Sequence, residues 1–351
     1  MKIPIADLVA QHAPLRDELL AAFQRVVDSG RFILGPEVEA FEREVAELHG
    51  VAHAVGVSSG TDALLAALIA LGVGPGDEVL TTPLSFFATA GCVARLGARP
   101  VFTDIDDDLL LDAWDAERKV SSRTRAVILV HLFGKVGAPP RIDVPIIEDA
   151  AQAVGAARVG KLGRMACLSF FPTKNLGALG DAGMVITDDA ELAEKLRALR
   201  AHGKRQRYRH DLLGGNFRLD ALHAALLRAK LPRLREWNLR RMEHALAYDR
   251  LLAGTPLGLP RFAHGDVVHH YVVRAKDRDR LREHLAAREI ETEIYYPVPL
   301  HRQPALLQDV SLPRAERACA EVLALPVHAE LPPGAVERVA AAVREHYGGH
   351  G

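Results

Sequence analysis

Apolar residues recur at helical spacing over 13–28, where Leu15, Leu19, Leu20, Phe23, Val26 and Val27 fall. Gly35-Pro36-Glu37 opens a second helical pattern, with Pro36 and Glu37 in its first turn and Phe41, Val45 and Leu48 on one face. Seven short, mostly apolar runs then alternate with helical stretches: 53–57, 78–82, 100–104, 125–131, 144–148, 166–171 and 183–187. Runs of this kind suit strands buried on both faces. Their alternation with helices predicts an α/β sheet of seven strands with helical connections. Beyond residue 190 helical patterns cover 190–201, 219–231 and 234–253, with a basic, Gly-containing loop over 202–217. From Pro256 the chain reads as a smaller α+β unit, with strands at 267–275 and 292–296 and helices at 277–288 and 334–346. The pattern divides the chain into a large domain, 1–240, and a small C-terminal domain, 241–351.

A length of 351 residues has room for two such domains. Hydrophobic residues make up 49%, which excludes a disordered chain. Lys plus Arg number 44 against 45 for Asp plus Glu. That balance argues against a dedicated nucleic-acid binder or a polybasic membrane-surface protein. Cys92, Cys167 and Cys319 are far apart and form no CxxC, so neither a disulfide framework nor a zinc ribbon is expected. A reducing cytoplasm fits that usage. Asp7 and Gln11 interrupt the N-terminus before a signal-peptide apolar region forms. The longest strongly apolar stretch, 63–73, is short of the ~20 residues of a membrane span. Only nine of the 44 basic residues are lysines, which draws attention to each one.

Three segments carry candidate chemistry. In Ser58-Ser59-Gly60-Thr61-Asp62 a strand pattern runs into an apolar helix pattern. Such a turn leaves free N–H groups at a helix N-terminus, where an anion is favoured. Gly60 lets the backbone approach a phosphate and Thr61 adds a hydroxyl, though the same residues suit an ordinary N-cap. Glu148 and Asp149 follow a strand pattern directly, at the carboxyl end where α/β proteins bind ligands. A carboxylate there can hold a protonated ring nitrogen or cap a helix. Lys174 sits in a short loop between two apolar strand patterns. Partial desolvation there lowers a lysine pKa and makes the amine nucleophilic, whereas most single lysines are simply solvated. Taken together, the three match the anchors of pyridoxal 5'-phosphate (PLP): a phosphate cradle, a ring-nitrogen carboxylate and a Schiff-base lysine.

The ordered set Ser29–Pro36 (SGRFILGP), Ser59–Leu64 (SGTDAL), Pro83–Thr89 (PLSFFAT), Glu148–Ala156 (EDAAQAVGA), Ser169–Leu176 (SFFPTKNL) and Gly215–Asp220 (GNFRLD) resembles the DegT/StrS-type nucleotide-sugar PLP aminotransferases over nearly the whole chain. The resemblance implies the aspartate aminotransferase-like PLP-dependent transferase fold (fold type I), a seven-stranded mostly parallel sheet with a smaller α+β C-terminal domain. It implies that Lys174 bonds the cofactor and later shuttles protons. Asp149 would pair with the ring nitrogen, Gln152 would lie near the ring's phenolic oxygen and Phe86 would stack on the ring. Gly60, Thr61, Asp62 and Ser169 would hold the phosphate. Asn216 would reach the phosphate of a neighbouring subunit, which makes a homodimer with shared sites the expected assembly. Glutamate is the expected donor and a nucleotide-linked keto sugar the acceptor, in a ping-pong cycle. The segment Tyr296-Pro297-Val298-Pro299-Leu300-His301 resembles a family element associated with 3-keto rather than 4-keto sugars. Tyr296 and His301 would then line the substrate side, or the segment is a Pro-rich turn that packs two domains. Lys204, Arg205, Arg207 and Arg209 could attract a nucleotide diphosphate or form a solvated charge run.

Competing readings are weaker. Residues 155–161 match the first part of a P-loop, but Leu162 takes the Ser/Thr position that magnesium needs. His264, His269 and His270 lack a further suitably spaced ligand for a metal and read as strand or loop histidines. Cys167, in an apolar run, reads as core. Within the family, dehydratases carry His in place of the lysine, so Lys174 favours transamination over that chemistry and over a non-enzymatic regulatory role. Two departures from the family pattern stand out. The connection between Gly134 and Ile146 is trimmed where relatives carry a short helix, and Gly215 replaces an aromatic before Asn216.

Overall fold

The structure, a computed structural model, describes residues 2–206 and 208–348, with Arg205 described by its backbone alone. Seven strands form the central sheet: β1 (His53–Val57), β2 (Glu78–Thr81), β3 (Arg99–Phe102), β4 (Thr124–Val130), β5 (Ile146–Asp149), β6 (Met165–Ser169) and β7 (Gly183–Thr187). Their order is β1-β7-β6-β5-β4-β2-β3, and only β7 runs against its neighbours. The carboxyl ends of β1, β2, β4, β5 and β6 therefore share one edge with the amino end of β7.

Both faces of the sheet are covered, which is why the strands read as apolar runs. In β6, Met165 and Cys167 enter the core on one face, and Ala166 and Leu168 enter the core on the other. Helix Gly60–Ala70 is buried from Ala63 to Leu68 and again at Ala70. Its apolar residues occupy all sides because it packs between the sheet and the helices Ala88–Arg95 and Ala190–Leu199. On the opposite face Phe41, Val45 and Phe170 join the helices Arg16–Ser29, Pro36–His49 and Ala221–Lys230. A third core gathers Ile3, Tyr248, Tyr271, Leu281, Leu325 and Val339. Helix Leu234–Leu251 spans two cores without a break: Trp237 belongs to the second and Ala245 and Tyr248 to the third.

Several elements differ from the sequence pattern, each for a local reason. Pro14 splits the first helical stretch into Leu8–His12, a 3-10 turn Ala13–Leu15 and Arg16–Ser29. The strand expected over 267–275 is regular only from Tyr271 to Arg274. Its first residues bond the segment after β4 instead, His269 N–H donating to Phe133 O at 2.9 Å. The strand expected over 292–296 is reduced to one bridge, Glu293 with Ala324, since Pro297 and Pro299 bring no N–H to extend a ladder. Tyr271–Arg274 pairs with Val322–Leu325, a strand the sequence reading left out. The basic loop contains a short antiparallel pair, Lys204–Gln206 with Arg209–His210. Arg207 and the side chain of Arg205 lie outside the described residues. Residues 135–145 hold no helix, in line with the trimmed connection.

Candidate active site

A cavity of about 450 Å³ opens where the strand ends converge, a volume that suits a cofactor-sized ligand. One wall is the N-terminus of helix Gly60–Ala70. Ser59 caps it by accepting from Asp62 N–H at 3.0 Å, while the N–H groups of Gly60 and Thr61, in the first turn, have no acceptor within the helix. Ser169, at the end of β6, faces that turn. A Cβ on Gly60 would stand 2.7 Å from Ser169 Cβ, so only glycine lets the two segments approach. The result is a small polar cradle of two N–H groups, the Thr61 hydroxyl and the Ser169 hydroxyl, suited to a phosphate.

Neighbouring residues on β5 point to opposite faces of the sheet. Asp149 enters the cavity, 5% exposed. Thr89 Oγ1 donates to its Oδ2 at 2.7 Å and Ala151 N–H reaches its Oδ1 at 3.3 Å. Burial raises the Asp149 pKa against the opposing pull of Thr89. Glu148 turns away and is fully buried. It accepts from the N–H groups of Gly160, Leu162 and Gly163 and pairs with His131 Nε2 at 2.8 Å. Burial would raise its pKa, but these bonds hold it below the usual range. Because His131 Nδ1 accepts from Gly137 N–H, the proton of this ring sits on Nε2.

Lys174 lies in the tight turn between β6 and β7. Its own N–H donates to Phe171 O at 2.8 Å, and Ala178 N–H closes the turn onto Phe170 O at 2.7 Å. The side chain is half-buried in the cavity wall. Desolvation pulls its pKa down to about 8, opposed by the Asp149 charge. Gln152 is fixed because its Oε1 accepts from Phe133 N–H at 2.7 Å; its Nε2 donates to the Tyr296 hydroxyl at 3.3 Å. Phe86 is 59% exposed at the mouth, 6.4 Å from the Tyr296 ring.

Of the residues singled out in the sequence, Gly60, Thr61, Phe86, Asp149, Gln152, Ser169, Lys174 and Tyr296 line this one cavity. Three others lie elsewhere. The Asp62 carboxylate accepts from Ser58 Oγ at 2.5 Å and its N–H is spent on Ser59, so Asp62 offers the cradle nothing. Asn216 is exposed outside the cavity of its own chain, with Oδ1 accepting from Arg218 Nε at 2.8 Å. His301, expected on the substrate side, is fully buried away from the cavity: Nε2 pairs with Glu316 at 3.0 Å and the ring lies 6.2 Å from Phe102. The turns Leu300–Arg302 and Pro304–Leu306 pack Leu300 and Leu306 into the sheet core and carry His301 inward with them. The hairpin residue Arg209 bonds Asp211 at 2.8 Å and stands outside the cavity lining.

The cavity also holds groups the sequence reading gave no role. Thr89 falls inside the quoted run Pro83–Thr89, and His131 directly follows β4 at the same sheet edge as Asp149; that shared strand end was the available signal. His269 and His270 form part of the wall, with His270 stacked on Tyr295 at 4.2 Å. Burial pushes both histidines well below their usual pKa, with Lys174 adding to the effect, so both rings are neutral. Among the described residues no group of three His, Cys, Asp or Glu could hold a metal ion.

A mostly parallel seven-stranded sheet with a lysine turn, a strand-end aspartate and a phosphate cradle on one edge is the PLP-dependent transferase fold of the aspartate aminotransferase-like kind. Residues 14–344 match the DegT/DnrJ/EryC1/StrS aminotransferase family, to which the chain belongs. It is 44% identical to a protein of Geobacillus stearothermophilus named a pleiotropic regulatory protein, with 99% of each chain covered. It is 45% identical to the dTDP-3-amino-3,4,6-trideoxy-alpha-D-glucose transaminase of Streptomyces venezuelae, with 98% of this chain and 96% of that one covered. A crystal structure of S. venezuelae DesV in complex with a ketimine intermediate superposes with a TM-score of 0.92, at 45% identity and 98% coverage of both chains.

Proposed function

We propose that this aminotransferase uses PLP to move an amino group from glutamate to C3 of a keto sugar linked to a nucleotide diphosphate. The observation that carries the reading is the pairing of a desolvated Lys174 with a buried Asp149 in one cavity, with a phosphate cradle alongside. When bound, the cofactor supplies an electron sink that acidifies the donor's α-carbon. Lys174 provides the amine that holds it and, once displaced, the base at Nζ that takes and returns the proton. A pKa of about 8 leaves a useful fraction of that amine unprotonated near neutrality. Asp149, with one oxygen fixed by Thr89, holds the proton on the ring nitrogen. Phe86 and Tyr296 frame the opening through which both substrates enter in turn.

The C3 position draws support from the 3-amino sugar relative and from the Tyr296 segment. Exposed Phe86, Phe171, Tyr208 and Leu213, together with the outward Asn216, support a homodimer with shared sites. The reading carries a cytoplasmic location, supported by three buried free cysteines. Among the described residues no helix is long and apolar enough to cross a membrane.

The test has two stages. Purified protein should gain a PLP absorbance band that Lys174→Ala abolishes; protein that stays colourless with excess PLP sinks the reading. The glutamate-loaded form should then transfer its amine, in a single turnover, to 3-keto nucleotide sugars. Transfer to 4-keto sugars alone would overturn the C3 assignment.

A further inference from the structure

Lys230 is the last residue of helix Ala221–Lys230 and is fully buried, outside the cavity. Its ammonium donates to the carbonyl of Gly177 at 2.5 Å and to His12 Nε2 at 2.8 Å, and stands 5.8 Å over the Trp237 ring. Among the described residues no carboxylate lies within ion-pair distance; Glu330 acts on it only from farther away. A buried cation without a paired anion is expensive for a fold to keep. A methionine would fill the same space at less cost, so the charge points to a use.

That use lies in its acceptor. Gly177 closes the turn that carries Lys174. A Cβ at Gly177 would meet Pro172 O at 2.1 Å, so the two ends of the turn lie directly against each other. The carbonyl that Lys230 grips is thus mechanically joined to residues 172–174. A second support holds the turn from the other side. Asn175 Nδ2 donates to Asn238 Oδ1 at 2.7 Å and to Val268 O at 3.2 Å, and Asn175 Oδ1 meets His269 Nδ1 at 3.0 Å. Asn175 is therefore fixed by neutral amide and imidazole groups, and Gly177 by the buried Lys230 ammonium. His12 must be neutral to accept from that ammonium, which brings the N-terminal helix Leu8–His12 onto the back of the same turn.

We propose that Lys230 is a positioning residue that holds the Lys174 turn, through the Gly177 carbonyl, in the geometry that lets Lys174 bond the cofactor. The proposal rests on the reading of Lys174 as the cofactor-bonding amine. Pyridoxamine phosphate is the discriminating probe. It shares the ring and the phosphate of PLP but forms no bond with Lys174.

The experiment measures the affinity of full-length apoprotein for both compounds in the parent, Lys230→Met and Lys230→Gln. Losing a charge-assisted bond should weaken PLP about tenfold in Lys230→Met. Pyridoxamine phosphate should change by less than about twofold. Lys230→Gln, which keeps a neutral donor for Gly177, should recover most of the difference, and Lys230→Leu, which also lacks a donor, takes the place of the methionine variant if that one does not fold. In a Lys174→Ala background Lys230→Met should no longer affect PLP. Equal weakening of both compounds, or of neither, overturns the proposal, as does an effect that persists without Lys174. If Lys174→Ala alone leaves PLP affinity unchanged, the reading of Lys174 itself falls and takes this proposal with it.

Discussion

Thr89→Val tests how Asp149 is kept ionised. Valine has nearly the same shape as threonine, so the substitution removes the hydroxyl and little else at a fully buried site. That hydroxyl donates to Asp149 Oδ2 at 2.7 Å and also meets Ser85 Oγ at 2.8 Å. A hydrogen bond to a charged group contributes about 1.5–3 kcal/mol. Removing it should raise the Asp149 pKa further, because the bond favours the charged form. Since burial already raises this pKa in the parent, the variant moves further in the same direction. The sign for stability follows. A carboxyl whose folded pKa lies above its unfolded value binds more protons when folded, so its ionisation opposes folding at higher pH. The extra cost of Thr89→Val is therefore fully present above the raised folded pKa and fades as pH falls through it.

The assay is urea unfolding of the two apoproteins across a pH series. Thr89→Val should be less stable by about 1.5–3 kcal/mol where Asp149 is ionised, and the gap should shrink toward acid. Ser85→Ala, which touches Asp149 only through Thr89, should show a smaller gap. A pH-independent difference between parent and Thr89→Val would refute the reasoning, because it would assign the loss to packing rather than to the carboxylate.

Three further outcomes are expected. Gly60→Ala places a methyl 2.7 Å from Ser169 Cβ, an overpacking of about 1–3 kcal/mol that should also loosen PLP, measured by equilibrium dialysis; unchanged affinity would show that the cradle is not the phosphate site. The rate of the glutamate half-reaction, followed by stopped-flow absorbance, should rise with pH and level off above about 8 as Lys174 loses its proton; a flat profile across that range would count against Lys174 as the base. His301→Leu should lower the melting temperature through the lost Glu316 bond while leaving the sugar KM in place; a large rise in KM at unchanged stability would return His301 to the substrate side.

The sheet was legible because most of its strands are buried on both faces, so β1 and β7 read to their observed ends from apolarity alone. Val322–Leu325 left little local signal: it follows helix Pro313–Glu321 without an intervening turn, and its partner Tyr271–Arg274 lies some fifty residues earlier. The site divides in the same way. Lys174 and Asp149 were legible because their chemistry is intrinsic and both sit at strand ends. Thr89, His131 and Lys230 were not, because a threonine, a histidine or a lysine acquires its role only from what it touches across the fold. The inward direction of His301 was not legible because neighbourhood in sequence says nothing about side-chain direction inside consecutive 3-10 turns.

Glu148 and Asp149 show how the fold separates a structural acid from a chemical one. They are adjacent on β5, both are buried, and the pleat alone sends them to opposite faces. Glu148 receives three backbone N–H groups and the His131 ring, enough to keep its charge despite burial. Its needs are met, so it has little left to offer a ligand, and it ties the 160–163 segment to the end of β4. Asp149 receives one hydroxyl and one long N–H contact, and its pKa rises. A carboxylate left short of donors in a desolvated cavity gains most from a cationic partner, and a protonated ring nitrogen is such a partner. The shortage at Asp149 is therefore the selective feature. A change that supplied it with further donors from the protein would stabilise the apoprotein and weaken its hold on the cofactor together.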